Sequence, residues 1–192
     1  TERVLWESKT KGDLGLSSPA VVKIFVVVAS GDENLYGVNI TPGEEEWRFE
    51  TDFSLHTTPA VVDGIAYVGS SQNRLYAIET DSGELEWTFK TGDDVRSAPA
   101  VSDRTVFFGS DDGAVYAVNT ADGTEQWSYP TNRGITGGVT VVGDTIYAGN
   151  DAGTIFALDT ESGRPRWRQN LRSVVTAAPV VSDSRLCVDT DD

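Results

Sequence analysis

Cysteine, histidine and lysine are scarce in this chain, and each scarcity closes a route to function. One cysteine in 192 residues, Cys187, forbids an intrachain disulfide and any cysteine-rich zinc site. It aligns with Val27, Tyr67, Phe107 and Tyr147 of a repeat described below, so a buried small hydrophobe is expected there rather than a reactive thiol. The one histidine, His56, excludes a multi-histidine metal centre and leaves any Ser-His-Asp triad dependent on it alone. No nucleophile motif accompanies it. The longest apolar run, residues 24–29, is too short to span a membrane, and the opening TERVLW has neither the basic nor the apolar region of a signal peptide. The chain therefore reads as soluble, either cytoplasmic or exported after removal of a signal. Helical periodicity is missing throughout.

Positive charge is also short. Fifteen Lys and Arg face 30 Asp and Glu, giving a formal net charge of −15, and only Lys9, Lys11, Lys23 and Lys90 are lysines. Phosphate backbones are gripped by basic side chains, so nucleic acid is excluded as a partner. The acids are dispersed through the whole chain instead of forming one tail. Such an acidic, lysine-poor surface resembles that of proteins from salt-accumulating halophiles, where concentrated salt screens self-repulsion.

Against these absences stands one strong presence. Trp6, Trp47, Trp87, Trp127 and Trp167 are spaced by 41, 40, 40 and 40 residues. The segments LYGVNITPGEEEW, LYAIETDSGELEW, VYAVNTADGTEQW and IFALDTESGRPRW recur with glycine (Gly43, Gly83, Gly123, Gly163) four residues before the tryptophan. A second anchor precedes them: SSPAVV, TTPAVV, SAPAVS, GGVTVV and AAPVVS. Each unit holds four β-rich runs, as at 57–62, 65–71, 74–80 and 85–91, separated by turn signals such as Asp63-Gly64 and Asp81-Ser82-Gly83. In the third run Leu75 and Ala77 point one way and Tyr76 and Ile78 the other, so both sheet faces are apolar. A sheet with two apolar faces needs a neighbour on each side. Radial stacking into an all-β propeller of four-stranded antiparallel blades supplies it.

The pattern of Ala or Gly in the third strand, a turn ending in Gly, then three residues and Trp resembles the tryptophan-docking motif of PQQ-like repeat propellers. The resemblance covers essentially the whole chain and implies that each tryptophan packs against the neighbouring blade. Blades are expected at 17–51, 57–91, 97–131 and 137–171, with a partial fifth at 177–190 closed by the N-terminal strand 4–10. The competing reading is a fragment of a larger ring, since rings of this family usually have about seven or eight blades.

Chemistry is harder to find than architecture. The paired acids Asp93-Asp94 and Asp111-Asp112, with Asn150-Asp151 one repeat on, lack the Asp-x-Asp-x-Asp-Gly spacing of a calcium loop and read as hairpin-turn residues. The residue three before the repeat's proline opens the innermost strand, so Leu16, His56, Arg96, Thr136 and Thr176 should ring one mouth of the central channel. Of these, His56, Arg96, Thr136 and Thr176 are the candidate binding residues. Arg96 is expected either to pair with Asp93 or Asp94 or to await an anionic ligand.

The family resemblance also brings a quinone dehydrogenase into view. Such enzymes are much longer and carry a vicinal cysteine pair beside PQQ and a calcium held by acidic and amide groups, whereas Cys187 has no neighbouring cysteine. The preferred expectation is a noncatalytic scaffold with a protein partner, no cofactor, no membrane span, and self-association through the incomplete blade. A fragment of a PQQ- and calcium-dependent oxidoreductase is the alternative.

Overall fold

The computed structural model describes residues 6–14, 17–55, 57–183 and 185–191. Its first blade is β1 (Ala20–Val22), β2 (Phe25–Ala29), β3 (Asn34–Asn39) and β4 (Glu45–Glu50). The second is β5 (Ala60–Val62), β6 (Ile65–Ser70), β7 (Arg74–Glu79) and β8 (Leu85–Lys90). The third is β9 (Ala100–Ser102), β10 (Thr105–Gly109), β11 (Ala114–Asn119) and β12 (Glu125–Pro130). The fourth is β13 (Thr140–Val142), β14 (Thr145–Gly149), β15 (Thr154–Asp159) and β16 (Pro165–Asn170), and β17 (Val180–Ser182) pairs with β18 (Arg185–Cys187). Within every sheet the strands run in sequence order and antiparallel, as short hairpin turns require. The Asp63-Gly64 turn has φ of +50° and +80°, the doubly positive pattern of a type I′ hairpin, which glycine adopts freely.

The innermost strands are shorter than the sequence pattern suggests. The run 57–62 pairs only from Ala60, because Pro59 has no N–H for the ladder and Thr57 turns its hydroxyl to the Gly69 amide at 2.8 Å. Innermost strands of successive blades, β1 to β5, β5 to β9 and β9 to β13, lie beside one another. Three apolar cores fill the spaces between blades. Val27, Leu35 and Trp47 of blade 1 meet Val68 and Ile78 of blade 2; Tyr67, Leu75 and Ala77 meet Val106, Phe108 and Val118; Phe107 and Val115 meet Ile146, Phe156 and Leu158. Both faces of each central strand are thus used, which is why β7 is buried along Leu75, Tyr76, Ala77 and Ile78.

Trp47, Trp87 and Trp127 each cross to the next blade. The indole Nε1 of Trp47 donates to the Thr80 carbonyl at 2.9 Å, Trp87 to Thr120 at 2.9 Å, and Trp127 to Thr160 at 3.0 Å. The rings lie on Gly83, Gly123 and Gly163, each with positive φ, where an added Cβ would fall within 2.8 Å of indole carbons. Glycine is needed there twice over, for the backbone conformation and for the space. On its own blade each tryptophan faces a small third-strand residue, Gly37, Ala77, Ala117 or Ala157, at a β-bulge repeated in all four sheets.

Two expectations require correction. The ring is not closed by the N-terminal strand: the sheets are separate, β17–β18 is a two-stranded sheet, and residues 6–10 form no strand. Trp6 instead docks on blade 1, its Nε1 donating to the Ile40 carbonyl at 2.6 Å and its ring lying over Gly43. The reason is geometric. A fourth strand needs a third to pair with, and β18 has none beside it, whereas blade 1 offers the same glycine turn that receives the other tryptophans. One segment covers a face meant for a blade, so a cavity of about 190 Å³ remains among Trp6, Val26, Val28, Tyr36 and Val38. Val4 and Leu5 of the expected closing strand lie outside the described residues.

Cys187 is exposed rather than buried. In complete blades the equivalent Tyr67, Phe107 and Tyr147 pack on the fourth-strand Trp87, Trp127 and Trp167 at 5.7–5.9 Å between ring centroids. The β17–β18 sheet contains no such strand.

Candidate functional site

The residues expected at a channel mouth are placed by loops that enter each innermost strand. Before β9, the loop 93–96 is clamped from both sides: the Val95 amide donates to the Ser70 carbonyl of blade 2 at 3.0 Å, and the Asp111 amide of blade 3 donates to the Asp94 carbonyl at 2.8 Å. The Ser110 hydroxyl, wholly buried, sits 3.1 Å from both the Asp93 and Asp94 carbonyls. The Val95 side chain plugs the space over Gly69. The same plug recurs as Leu55, Ile135 and Val175, all fully buried.

With its backbone fixed in this way, Arg96 reaches two carboxylates, Asp94 at 2.9 Å and Asp111 at 2.8 Å. Asp94 is one of the two partners, Asp93 or Asp94, expected from sequence, and Asp111 comes from the β10–β11 turn of the same blade. One repeat on, the Thr136 hydroxyl donates to Asp151 at 2.7 Å. Arg96 and Thr136 are thus both tied to acids of the second-to-third-strand turns. Thr176 is exposed. His56 and Leu16 lie outside the described residues.

Burial pushes the Asp111 carboxyl above its ordinary value; the Arg96 guanidinium opposes this, while Asp94, Asp93 and Asp151 reinforce it. Arg96 therefore sits in a crowded set of carboxylates. The acids nearest Arg96 converge on its guanidinium, and among the described residues no three His, Cys, Asp or Glu groups come together as metal ligands.

The side chains of Asp112 and Asn150 serve their turns. Asp112 accepts from the Tyr116 hydroxyl at 2.7 Å, from the Ala114 amide at 2.9 Å and from the Gly92 amide at 2.8 Å, and the Asn150 Oδ1 accepts from Ala152 and Thr154. Sequence reasoning overlooked the apolar plugs and the Asp111 partner. The signal for the plugs was available, since Leu55, Val95, Ile135 and Val175 recur every 40 residues immediately before the mouth positions.

A second feature lies at the last complete blade. Trp167 is 43% exposed, against 8% for Trp47, and Leu171, four residues on, is exposed as well. Ile155, Trp167, Gln169 and Leu171 of blade 4 and Leu186 and Val188 of the half-sheet line a groove of about 480 Å³.

Comparison with known proteins decides the family. A family model described as outer membrane protein assembly factor BamB matches residues 52–134 and 111–192, together well over half the chain. The chain belongs to this PQQ-like repeat family. Among solved structures, the computationally designed Ika8 protein matches with a TM-score of 0.81 and 20% identity, over 90% of this chain and 54% of that one. BamB from Moraxella catarrhalis matches with a TM-score of 0.60 and 20% identity, over 97% of this chain and 70% of that one. At such identities the likeness is one of fold. The chain spans about half the length of Ika8, 54%. No curated protein matches it. Among the described residues no helix is long and apolar enough to cross a membrane.

Proposed function

We propose that this PQQ-like propeller chain is a noncatalytic interaction scaffold that binds protein, with a surface adapted to high salt. The carrying observation is the family match over residues 52–134 and 111–192, and the apolar groove where the half-exposed Trp167 meets Leu186 and Val188 is the surface the chain would use. Three other tryptophans show what that ring accepts, a glycine turn with a free carbonyl on a following blade. A strand of the same repeat pattern, adding to β18 by backbone pairing, would cover it. Membership in a family described by an assembly factor is consistent with a binding role, and the acidic mouth adds a second polar surface.

Self-association is the form tested most simply. Sedimentation velocity over a range of concentrations should show association of the native chain that Trp167→Ser with Leu171→Ser suppresses. A native chain that stays monomeric, or a double variant that associates equally, would remove the groove from the reading.

A further inference from the structure

Blade 4 departs from the other three at one point on its face toward blade 3, and the departure opens a groove. In blades 1 to 3 the third-strand tyrosine donates to a side chain of the preceding turn: Tyr36 to Asp32 at 2.7 Å, Tyr76 to Gln72 at 3.0 Å, and Tyr116 to Asp112 at 2.7 Å. Blade 4 has Phe156 and Ala152 at these positions, so hydroxyl and acceptor are lost together. In blades 1 and 3 the acceptor also ties down the preceding segment of chain. Asp112 receives the Gly92 amide at 2.8 Å and Asp32 receives the Lys11 amide at 2.8 Å, whereas Ala152 offers the corresponding Asn132 no such carboxylate.

A third change removes a charge. Opposite its tyrosine, blade 1 has Arg48, which lies 5.5 Å over the Tyr36 ring and is neutralised by Glu45 at 2.7 Å. Arg168 stands at the equivalent place opposite Phe156, but Pro165 replaces the glutamate. The result is a groove of about 440 Å³ between blades 3 and 4. No carboxylate is found among the described residues that line it, in a chain of net charge −15.

Its lining is chemically consistent. Arg168 supplies a planar cation, and Asn132, Asn150, Thr154 and Asn170 supply neutral polar groups. Tyr129 and Phe156, edge to face with centroids 5.8 Å apart, form an apolar wall. Asn150 is 2% exposed and uses its Oδ1 on the Ala152 and Thr154 amides, which leaves its Nδ2 to donate. Thr154 accepts from Asn170 at 3.1 Å and keeps its own proton for an acceptor. One guanidinium suits one carboxylate, amides and hydroxyls suit groups that both donate and accept, and an aromatic wall suits an apolar ring face. We infer that the groove between blades 3 and 4 is a binding site for an acidic monosaccharide of the uronate class, with Arg168 on its carboxylate.

The test is titration of the folded chain with D-glucuronate, followed by ligand-observed and amide NMR, with D-glucose and acetate as parallel arms. Glucuronate should bind saturably and shift the Asn132, Asn150 and Asn170 side-chain signals, while glucose and acetate bind far more weakly. Arg168→Gln should weaken glucuronate at least about tenfold. The double variant Ala152→Asp with Phe156→Tyr rebuilds the pair that fills this space in blade 3, so it should fold and lose binding. Absence of glucuronate binding to the native chain, equal binding of glucose, or binding unchanged in the refilled double variant would overturn the assignment.

Discussion

Replacing one tryptophan at a time should show a gradient of cost along the chain, because the structure gives the five rings unequal surroundings. Trp47 is 8% exposed, donates to Thr80 at 2.9 Å and fills a notch above Gly37, where an added Cβ would lie 2.1 Å from the ring. Burying an indole removes ~200 Å² from water, an upper limit of roughly 5 kcal/mol at ~25 cal/mol/Å². Compactness of the unfolded chain reduces that to about 3–4.5 kcal/mol, and loss of the hydrogen bond adds about 1 kcal/mol. Trp47→Ala should therefore cost about 4 kcal/mol, within the usual range of about 3–5 for large aromatic truncations. Trp87→Ala, with the same hydrogen bond on a partly exposed ring, should fall near about 3 kcal/mol. Trp167 is 43% exposed, so its truncation should cost no more than about 2 kcal/mol. Glu84→Ala on the surface should cost under about 0.5 kcal/mol. Urea unfolding followed by far-ultraviolet circular dichroism reads all four without relying on indole fluorescence. With a slope of about 2 kcal/mol per molar urea, Trp47→Ala should lower the midpoint by about 2 M. Equal losses at Trp47 and Trp167, or losses no larger than at Glu84, would refute the claim that interblade docking holds the array together.

Other outcomes follow from charge and from the terminal contacts. The melting temperature should rise steeply between low and molar potassium chloride, since screening relieves the repulsion of a −15 chain; a flat profile would remove the salt-adaptation reading. Arg166 bonds both Asp144 and Asp159 and holds their carboxyls below the ordinary range. Depressed folded-state values mean that their contribution is present above the unfolded value, near about 4, and is lost as pH falls below it. Arg166→Gln should flatten this part of the acid-unfolding curve, and an unchanged slope would contradict the pairing. Deleting residues 6–14 should expose Val26, Val28 and Val38 and destabilise blade 1 while leaving hydrogen exchange in β17–β18 unchanged. Loss of protection in β17–β18 would revive closure by the N-terminal segment.

The blades were legible because their determinants repeat. Trp, turn glycine and two-faced apolar strands recur every 40 residues, and each instance confirms the register of the others. The path of the N-terminal segment was not legible, because Trp6 carries the motif but the motif does not say which sheet lies beside its strand. Trp6 took the free glycine turn of blade 1 in the absence of a third strand next to β18. Cys187 was misjudged for a related reason: alignment with buried Phe107 assumes a tryptophan strand in the same sheet. At the mouth, the Arg96 partnership with Asp94 could be read from nearby residues, whereas the Asp111 contact depends on how the β10–β11 turn folds over the loop before β9. The groove beside Arg168 lies in departures from the repeat, which emphasis on its recurring residues passes over.

The most direct test of the scaffold reading is addition of PQQ and calcium to the folded chain in molar salt, watching quinone absorbance and then offering alcohols or aldose sugars. The account predicts no saturable spectral change and no substrate oxidation, because the mouth acids are committed to Arg96 and no cysteine adjoins Cys187. A one-to-one quinone complex that oxidises either substrate would contradict it.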